Sequence, residues 1–475
     1  LIRLGLLAIF CTFLCFYSFV DWYRSLCGLV LLTAVIEHPD MPKNILGIQG
    51  ANPWNIVLLF VLLAFFVNGR SGAAREPVPA YYRFLMTAYG AVVLVGFARM
   101  VADRGHLPEN MGIASIVSEY LVNTVKWVVP GYLFFRGCDS EKRFRMALLA
   151  VVGFHFLLAV QIIRWIPPSY ALKGSDLAER SIKILQNEIG FHRVNLAMLM
   201  AGGSWALLAA RPAMTSRAAR NACTFGFLAC TFAVALTAGR MGYLAWLVAG
   251  ALFSLLRWRK ALLLLPVLVV AVVTLLPGTY GRFTAGFSEE TRDHNPLVPG
   301  ASRKEAPADG SPDLYTVTAG RNVAWPYVID AIGRAPLAGY GRLAMNRTGI
   351  SAYLAEKYRE YFAHPHNAYL EITLDNGILG GGMVILFYLS LLARAGRGFT
   401  ASRDPVGLAS SGVLLALLVA LLVAAFGSQT FYPREGAVSL WGAIGLFFAS
   451  AGRAGWRLDG PSPRPAWRFA KGGAA

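Results

Sequence analysis

The chain has 475 residues, 56% of them hydrophobic and only 15% charged, with a formal net charge of +18 and a mean hydropathy of +0.51. A soluble domain of this length carries more charge and shorter apolar runs, so that class is excluded. The basic excess sits in short connectors between apolar runs, which points to membrane topology and away from a nucleic-acid partner.

Apolar runs of about 17–25 residues recur along the chain, the length that crosses a hydrocarbon core. They lack the alternation of barrel strands, so helices are expected. Residues 1–37 read as one crossing with a tail or as two short ones split by Asp21-Trp-Tyr-Arg24. No small-residue cleavage site follows Leu1–Val20, so this run is read as retained. Further helices are expected near 54–67, 84–102, 114–135, 144–166, 191–210, 221–237, 241–257 and 261–277, then 368–393, 407–427 and 436–452.

Basic residues alternate between rich and poor connectors. The rich ones hold Arg70, Arg75 and Arg83; Arg136, Lys142, Arg143 and Arg145; Arg211, Arg217 and Arg220; Arg257, Arg259 and Lys260; and Arg394, Arg397 and Arg403. The positive-inside rule places these connectors, and the tail with Arg453 and Lys471, in the cytoplasm. With one crossing over 1–37 the fold class is an all-α integral membrane protein of about twelve transmembrane helices. The division is then an N-terminal bundle over 1–277, a large outer loop over 278–366, C-terminal helices over 367–452 and a cytoplasmic tail over 453–475. Residues 38–53, 103–113 and 167–190, and the turn Ala238-Gly-Arg240-Met-Gly242, fall on the outer face with the loop. Within the loop, 286–313 reads as irregular, whereas 320–334 and 349–362 read as helices with an apolar stripe at the membrane surface. The six cysteines lie in apolar runs or, for Cys138, in a basic connector, so neither a disulfide framework nor a CxxC metal site is implied.

The sharpest local signal is His364-Pro-His366-Asn367, just before the helix that starts near Ala368 and ten residues ahead of Gly377-Ile-Leu-Gly380. It places two imidazoles and a carboxamide at the outer mouth of a helix. Histidine exchanges protons near neutral pH; Asn367 either orients an imidazole or caps the helix. Interfacial histidines and a zinc site stand as alternatives, the latter without a third ligand cluster in the loop. Arginines on the outer side run against the topological trend: Arg240 in Thr237-Ala-Gly-Arg240, Arg321 opening Gly320-Arg-Asn-Val-Ala-Trp325, and Arg193 after His192. Fixed guanidinium groups at a membrane surface suit phosphate oxygens, with snorkelling to lipid headgroups as the plainer reading. Glu119, Lys126 and His155 within the helices read as packing groups. The outer loops hold no DxD motif, P-loop or GxSxG elbow, so a donor used there must arrive already activated.

Together these residues resemble the O-antigen ligases of lipopolysaccharide assembly. His366-Asn367, nine residues, then Gly377-Ile-Leu-Gly380 matches the family's H-[NSQ]-x9-G-x-x-G signature at every fixed position. Thr237 to Arg240 resembles its Thr/Ser-x-x-Arg turn, Arg321 and Trp325 its loop Arg before Trp, and Gly339-Tyr-Gly341 its Gly-x-Gly. The resemblance implies a glycosyltransferase of the membrane C-type class in the bacterial inner membrane. Such a protein moves O-antigen polysaccharide from undecaprenyl diphosphate onto lipid A–core at the periplasmic face, without metal, cofactor or ATP. It implies His366 as general base and Arg240 and Arg321 on the diphosphate. Arg193, Asn367 and His364 would be supporting substrate-site residues, and membrane lipids the surroundings. O-antigen polymerases and protein O-oligosaccharyltransferases share these motifs with a different acceptor. A transporter or lipid flippase would depend instead on charges within the bundle, such as Glu119 and Lys126.

Overall fold

A computed structural model of the chain describes residues 2–68 (46 and 49 apart), 78–107, 112–169, 176–264, 276–284, 320–359 and 361–452, with a few single residues between 266 and 318. Of the expected helix 261–277, residues 265, 268, 269, 271–273 and 275 lie outside the described residues, and its start is the short 3-10 helix Arg259–Leu264; the stretch 288–313 and the tail 453–475 also lie outside them.

The described residues form an all-α membrane protein. Seven helices are long and apolar enough to cross a membrane, and three more, Pro53–Asn68, Arg240–Leu256 and Ala437–Ala451, are apolar but shorter. In chain order the main elements are α1 (Ile2–Leu32), α2 (Pro53–Asn68), α3 (Ala80–Ala102), α4 (Val129–Gly137), α5 (Glu141–Trp165), α6 (Asp176–Ile184), α7 (Arg193–Ala210), α8 (Arg217–Leu236) and α9 (Arg240–Leu256). After α10 (Pro277–Thr284) come the two helices expected within the loop, α11 (Arg321–Arg334) and α12 (Ile350–Tyr358). The chain then returns to the bundle as α13 (Ala368–Ala401), α14 (Pro405–Ala424) and α15 (Ala437–Ala451).

The helix starts have local causes. Ser140, Ser216 and Asp404 each accept a hydrogen bond from the backbone N–H three residues on, closing the N-termini of α5, α8 and α14. Pro405 fills the first turn of α14, where its missing N–H costs nothing. α14 lies at the centre, packed by α7, α9, α13 and α15. Large apolar side chains face outward instead, among them Ile9, Phe13, Phe66, Phe84 and Phe225, each more than half exposed. A hydrocarbon solvent makes that arrangement favourable; water would not.

Two expectations need correction. α1 is interrupted at Asp21, which has φ −149 and ψ 90, and its two arms fold back on each other: a Cβ on Gly28 would sit 2.6 Å from Leu14. Asp21 Oδ1 accepts from the Tyr23 and Arg24 amides, capping the second arm. Of the two readings of 1–37, this fold-back fits the split one. The expected helix 114–135 is also not one regular helix. It begins with the single turn Ile113–Ile116, passes through a π-helical segment Val117–Val122 and resumes as α4. Glu119 is exposed, while Lys126 is buried, donates to Asn55 Oδ1 at 3.1 Å and lies over the Trp127 ring. The two charges do not form a pair.

Beyond the bundle, α11, α12 and the turn Ala344–Arg347 make a separate small core from Ala324, Val328, Met345, Leu354 and Phe362, closed on α13 by Leu374. α13 breaks beneath it. Gly377 adopts φ 67, ψ −178 inside α13, and residues 336–341 fill the gap. Ile378 N–H donates to Pro336 O at 2.7 Å, Tyr340 N–H to Leu374 O at 2.9 Å and Gly341 N–H to Asp375 O at 2.6 Å. A Cβ on Gly339 would lie 2.5 Å from Gly377 N, and one on Gly377 would collide with Leu337 O. Both glycine motifs thus serve one backbone-to-backbone clasp, which ties the loop unit to the helix that His366 precedes.

Candidate active site

The site gathers at the end of the bundle opposite the basic connectors, where α7, α9, α11 and α13 begin. At the start of α13, Asn367 Oδ1 accepts from the Tyr369 and Leu370 amides at 3.0 and 3.2 Å. Its oxygen is the N-cap of α13, and of the two roles weighed for it the cap is the one seen. His366, the residue before the cap, has φ +50, a left-handed backbone that a β-substituted residue rarely adopts. Three contacts hold it there. His364 Nδ1 accepts the His366 N–H at 3.2 Å, the two imidazole centroids lie 4.0 Å apart, and Trp325 Nε1–H donates to Pro365 O at 2.9 Å. Trp325 stands one turn along α11 from Arg321, so the same helix that presents the arginine also pins the histidine segment.

The Thr237–Arg240 turn shows a second strained residue. Ala238 has φ +52, and Thr237 Oγ1 donates to Val234 O at 2.7 Å and accepts from the Gly239 amide at 3.4 Å. A Cβ on Gly239 or Gly242 would meet Ala197 Cβ at 2.6 or 2.5 Å, so the glycines let the start of α9 press against the start of α7. That contact sets Arg240 near Arg193. Arg321 reaches the same region: a Cβ on Gly427 would lie 2.5 Å from Met241 Cγ and 3.2 Å from Arg321 Nη1. Arg321 has no hydrogen-bond or ion-pair partner among the described residues, and burial pushes its guanidinium below its ordinary value.

The electrostatics are one-sided. Burial, then the charges of Arg321 and His192, push His366 down to about 3. Burial and the neighbouring His366, Arg434, His192 and Arg321 push His364 down to about 2. His192 is lowered by burial and by Arg193, Arg434 and Arg321. At neutral pH the imidazoles are therefore neutral and the guanidinium groups charged, a cluster suited to an anion. With Nδ1 of His364 accepting, its proton is assigned to Nε2. Among the described residues no three His, Cys, Asp or Glu side chains converge as a metal site.

All six residues singled out from the sequence (His366, Arg240, Arg321, Asn367, Arg193 and His364) thus lie at this end of the molecule, with Asn367 as a cap. Sequence reasoning missed six others. His192 caps α7, its Nδ1 accepting from Val194 at 3.4 Å. Glu371 and Asp375, buried one turn apart on α13, anchor the connector 425–436 and the loop unit. Gln429 Nε2–H donates to Glu371 Oε1 at 2.7 Å, Tyr432 O–H to Asp375 Oδ2 at 2.9 Å, and Arg434 Nη2–H to Gln429 Oε1 at 2.7 Å. The signals were present: two acids in an apolar run, and Arg434 in an outer connector, against the charge trend that drew attention to Arg240.

Comparison with known proteins adds one match. No curated protein matches the chain. Residues 225–385, about a third of its length, match the family model described as O-antigen ligase. The matched stretch carries the Thr237–Arg240 turn, Arg321, the histidine segment and both glycine motifs of the clasp. Over residues 225–385 the chain is similar to the O-antigen ligase family.

Proposed function

We propose that the chain is an O-antigen ligase in the strict sense, transferring a finished polysaccharide from undecaprenyl diphosphate to a sugar hydroxyl of lipid A–core. The observation that carries this reading is the convergence of a neutral, strained, half-buried His366 with the guanidinium of Arg321, which has no hydrogen-bond or ion-pair partner among the described residues. The hydroxyl oxygen attacks the anomeric carbon of the donor, and His366 takes its proton. The bond from that carbon to the diphosphate oxygen breaks, and the electron pair leaves with undecaprenyl diphosphate. Arg321 and Arg240, with Arg193 beside them, meet the charge that grows on this leaving group. Binding the anionic diphosphate opposes the arginine field that depresses His366, so the imidazole becomes a stronger base once the donor is seated.

The excess of arginine at the opposite end of the bundle supports a periplasmic site in the inner membrane, with α13 entering the membrane from that face. The loop unit over 320–366 then stands outside, where no nucleotide donor is available. The reaction as proposed draws on the lipid diphosphate alone, and the residues in place ask for neither metal nor ATP.

The test is transfer by purified protein, with EDTA and without nucleotide, from undecaprenyl-diphosphate-linked O-antigen to lipid A–core. Product is read as a band shift on a gel. Wild type is expected to transfer, and His366→Ala to lose about 10²–10⁴-fold in rate. A wild type that is inert here but extends a second lipid-linked repeat would be a polymerase. One that modifies a pilin serine would be a protein O-oligosaccharyltransferase. Full activity in His366→Ala would remove the general-base role.

A further inference from the structure

The connector between α14 and α15 brings a cation to the site that no family motif contains. Arg434 is exposed at the outer end of the bundle, yet its guanidinium is directed by a chain of hydrogen bonds from the interior. Buried Glu371 accepts from Gln429 at 2.7 Å, and Gln429 Oε1 accepts from Arg434 Nη2–H at 2.7 Å. One carboxamide thus reads both ends: its N–H satisfies the carboxylate and its oxygen aims the arginine. An arginine that only snorkels to headgroups needs no such support. The charge of Arg434 reaches the imidazoles of His364 and His192, so it faces the same space as Arg321. Glu37 also stands within its field; Glu435, whose charge acts on Glu37 and Lys126, lines the cavity beside it.

The space beside Arg434 is a cavity between α7, α14 and α15. Its floor is apolar, with Met198, Leu199, Leu417 and Leu421, and its mouth is polar, with Asn195, Gln429, Arg434 and Glu435. Thr430 lines it too, and its Oγ1 is buried without a hydrogen-bond partner among the described residues. A buried hydroxyl with no partner is costly unless something else supplies one. An apolar floor under a polar mouth that carries an oriented guanidinium fits an amphiphile with an anionic head.

We propose that Arg434 is a further phosphate-binding residue of the donor site, gripping the diphosphate of the polyprenyl lipid from the side opposite Arg321, with Gln429 as its positioning residue. This rests on the donor being a polyprenyl diphosphate. Bound there, the lipid head exchanges its water for a charge-assisted bond to a guanidinium that is already oriented, so little side-chain entropy is lost on binding.

The experiment measures binding of sugar-free undecaprenyl diphosphate to the full chain in nanodiscs, with undecaprenol as the uncharged probe. Arg434→Ala is expected to weaken diphosphate affinity about tenfold or more, equal to the loss of one charge-assisted contact, and to leave undecaprenol binding unchanged. Arg434→Lys recovers part of the loss, because a point charge replaces the fork. Gln429→Ala weakens binding less, and adds nothing on top of Arg434→Ala, since both act through one guanidinium. Exposed Arg334→Ala, remote in the loop unit, is the control and binds as wild type. Diphosphate affinity within twofold of wild type in Arg434→Ala, or an equal loss of undecaprenol, would overturn the inference while leaving the functional reading intact. A wild type that binds no undecaprenyl diphosphate would overturn both.

Discussion

The loop unit holds arginines in two opposite states. Arg342 and Arg347, after the Gly339–Gly341 clasp, each bind protein partners. Arg342 donates to the Tyr120 carbonyl and to Thr124 Oγ1, and lies 4.2 Å from the Tyr432 ring centroid. Arg347 donates to Tyr340 O at 2.6 Å and pairs with Asp103. Arg321, about twenty residues earlier, is half-buried at the start of α11 with no such partner among the described residues. The contrast separates two uses of one side chain. Where the guanidinium is saturated it fastens the loop to the bundle; where it is left wanting an anion, it can bind a substrate.

The largest expected effects break this contrast directly. Arg321→Ala should abolish transfer, a loss of about 10²-fold or more, with the melting temperature of the purified protein nearly unchanged or raised. Removing a buried charge that has no protein partner relieves the fold of its desolvation. Arg342→Ala should do the reverse. Losing two hydrogen bonds and a ring contact costs about 2–4 kcal/mol of stability, so thermal unfolding shifts down and residual activity tracks the folded fraction.

Gly377→Ala sharpens it further. The left-handed backbone and the collision with Leu337 O leave no room for a methyl group, so the clasp must open, at about 2–4 kcal/mol. Transfer should fall even at temperatures where the bundle stays folded, because α11 and α13 would no longer hold Arg321 and His366 in register. Limited proteolysis between 336 and 360 would report the opening; a variant that is protected and active would remove the clasp from the account.

A smaller effect concerns pH. Burial and neighbouring charges lower His366 from 6.5 to about 3 in the folded chain. Between those values the unfolded chain binds more protons than the folded one, so this histidine's contribution to stability is complete above about pH 6.5 and is lost as pH falls towards 3. His364 acts in the same direction. Melting temperature should therefore decline below pH 6.5, and less steeply in His366→Asn. An equal decline in both would assign the acid sensitivity elsewhere. The smallest effect belongs to Arg334→Ala, whose pair with Asp330 at 2.5 Å is exposed on both sides. Such pairs contribute about 0–1 kcal/mol, so stability and transfer should match wild type.

Much of this was legible in the residues. Helix positions followed from apolar length, and α11 and α12 fell where the apolar stripes in the loop placed them. The His366, Arg321 and Arg240 segments stood out because charge and imidazole at an outer helix end oppose the topological trend. Two things were obscured. Asp21-Trp-Tyr-Arg24 offered a split of residues 1–37, but that the two arms of α1 fold back on each other is visible only once Leu14 and Gly28 are seen to touch. Glu371 and Gln429 are single polar residues in unrelated segments, and their meaning depends on Arg434 closing the chain between them.

The sequence by itself determined an all-α membrane protein and the chemical types available at one end of its bundle, because hydrophobic length and charge sign act locally along the chain. Only the tertiary structure decided which of those groups serve binding and which serve the fold. A guanidinium is structural or functional according to what stands within about 3–4 Å of it, and those neighbours come from helices hundreds of residues apart.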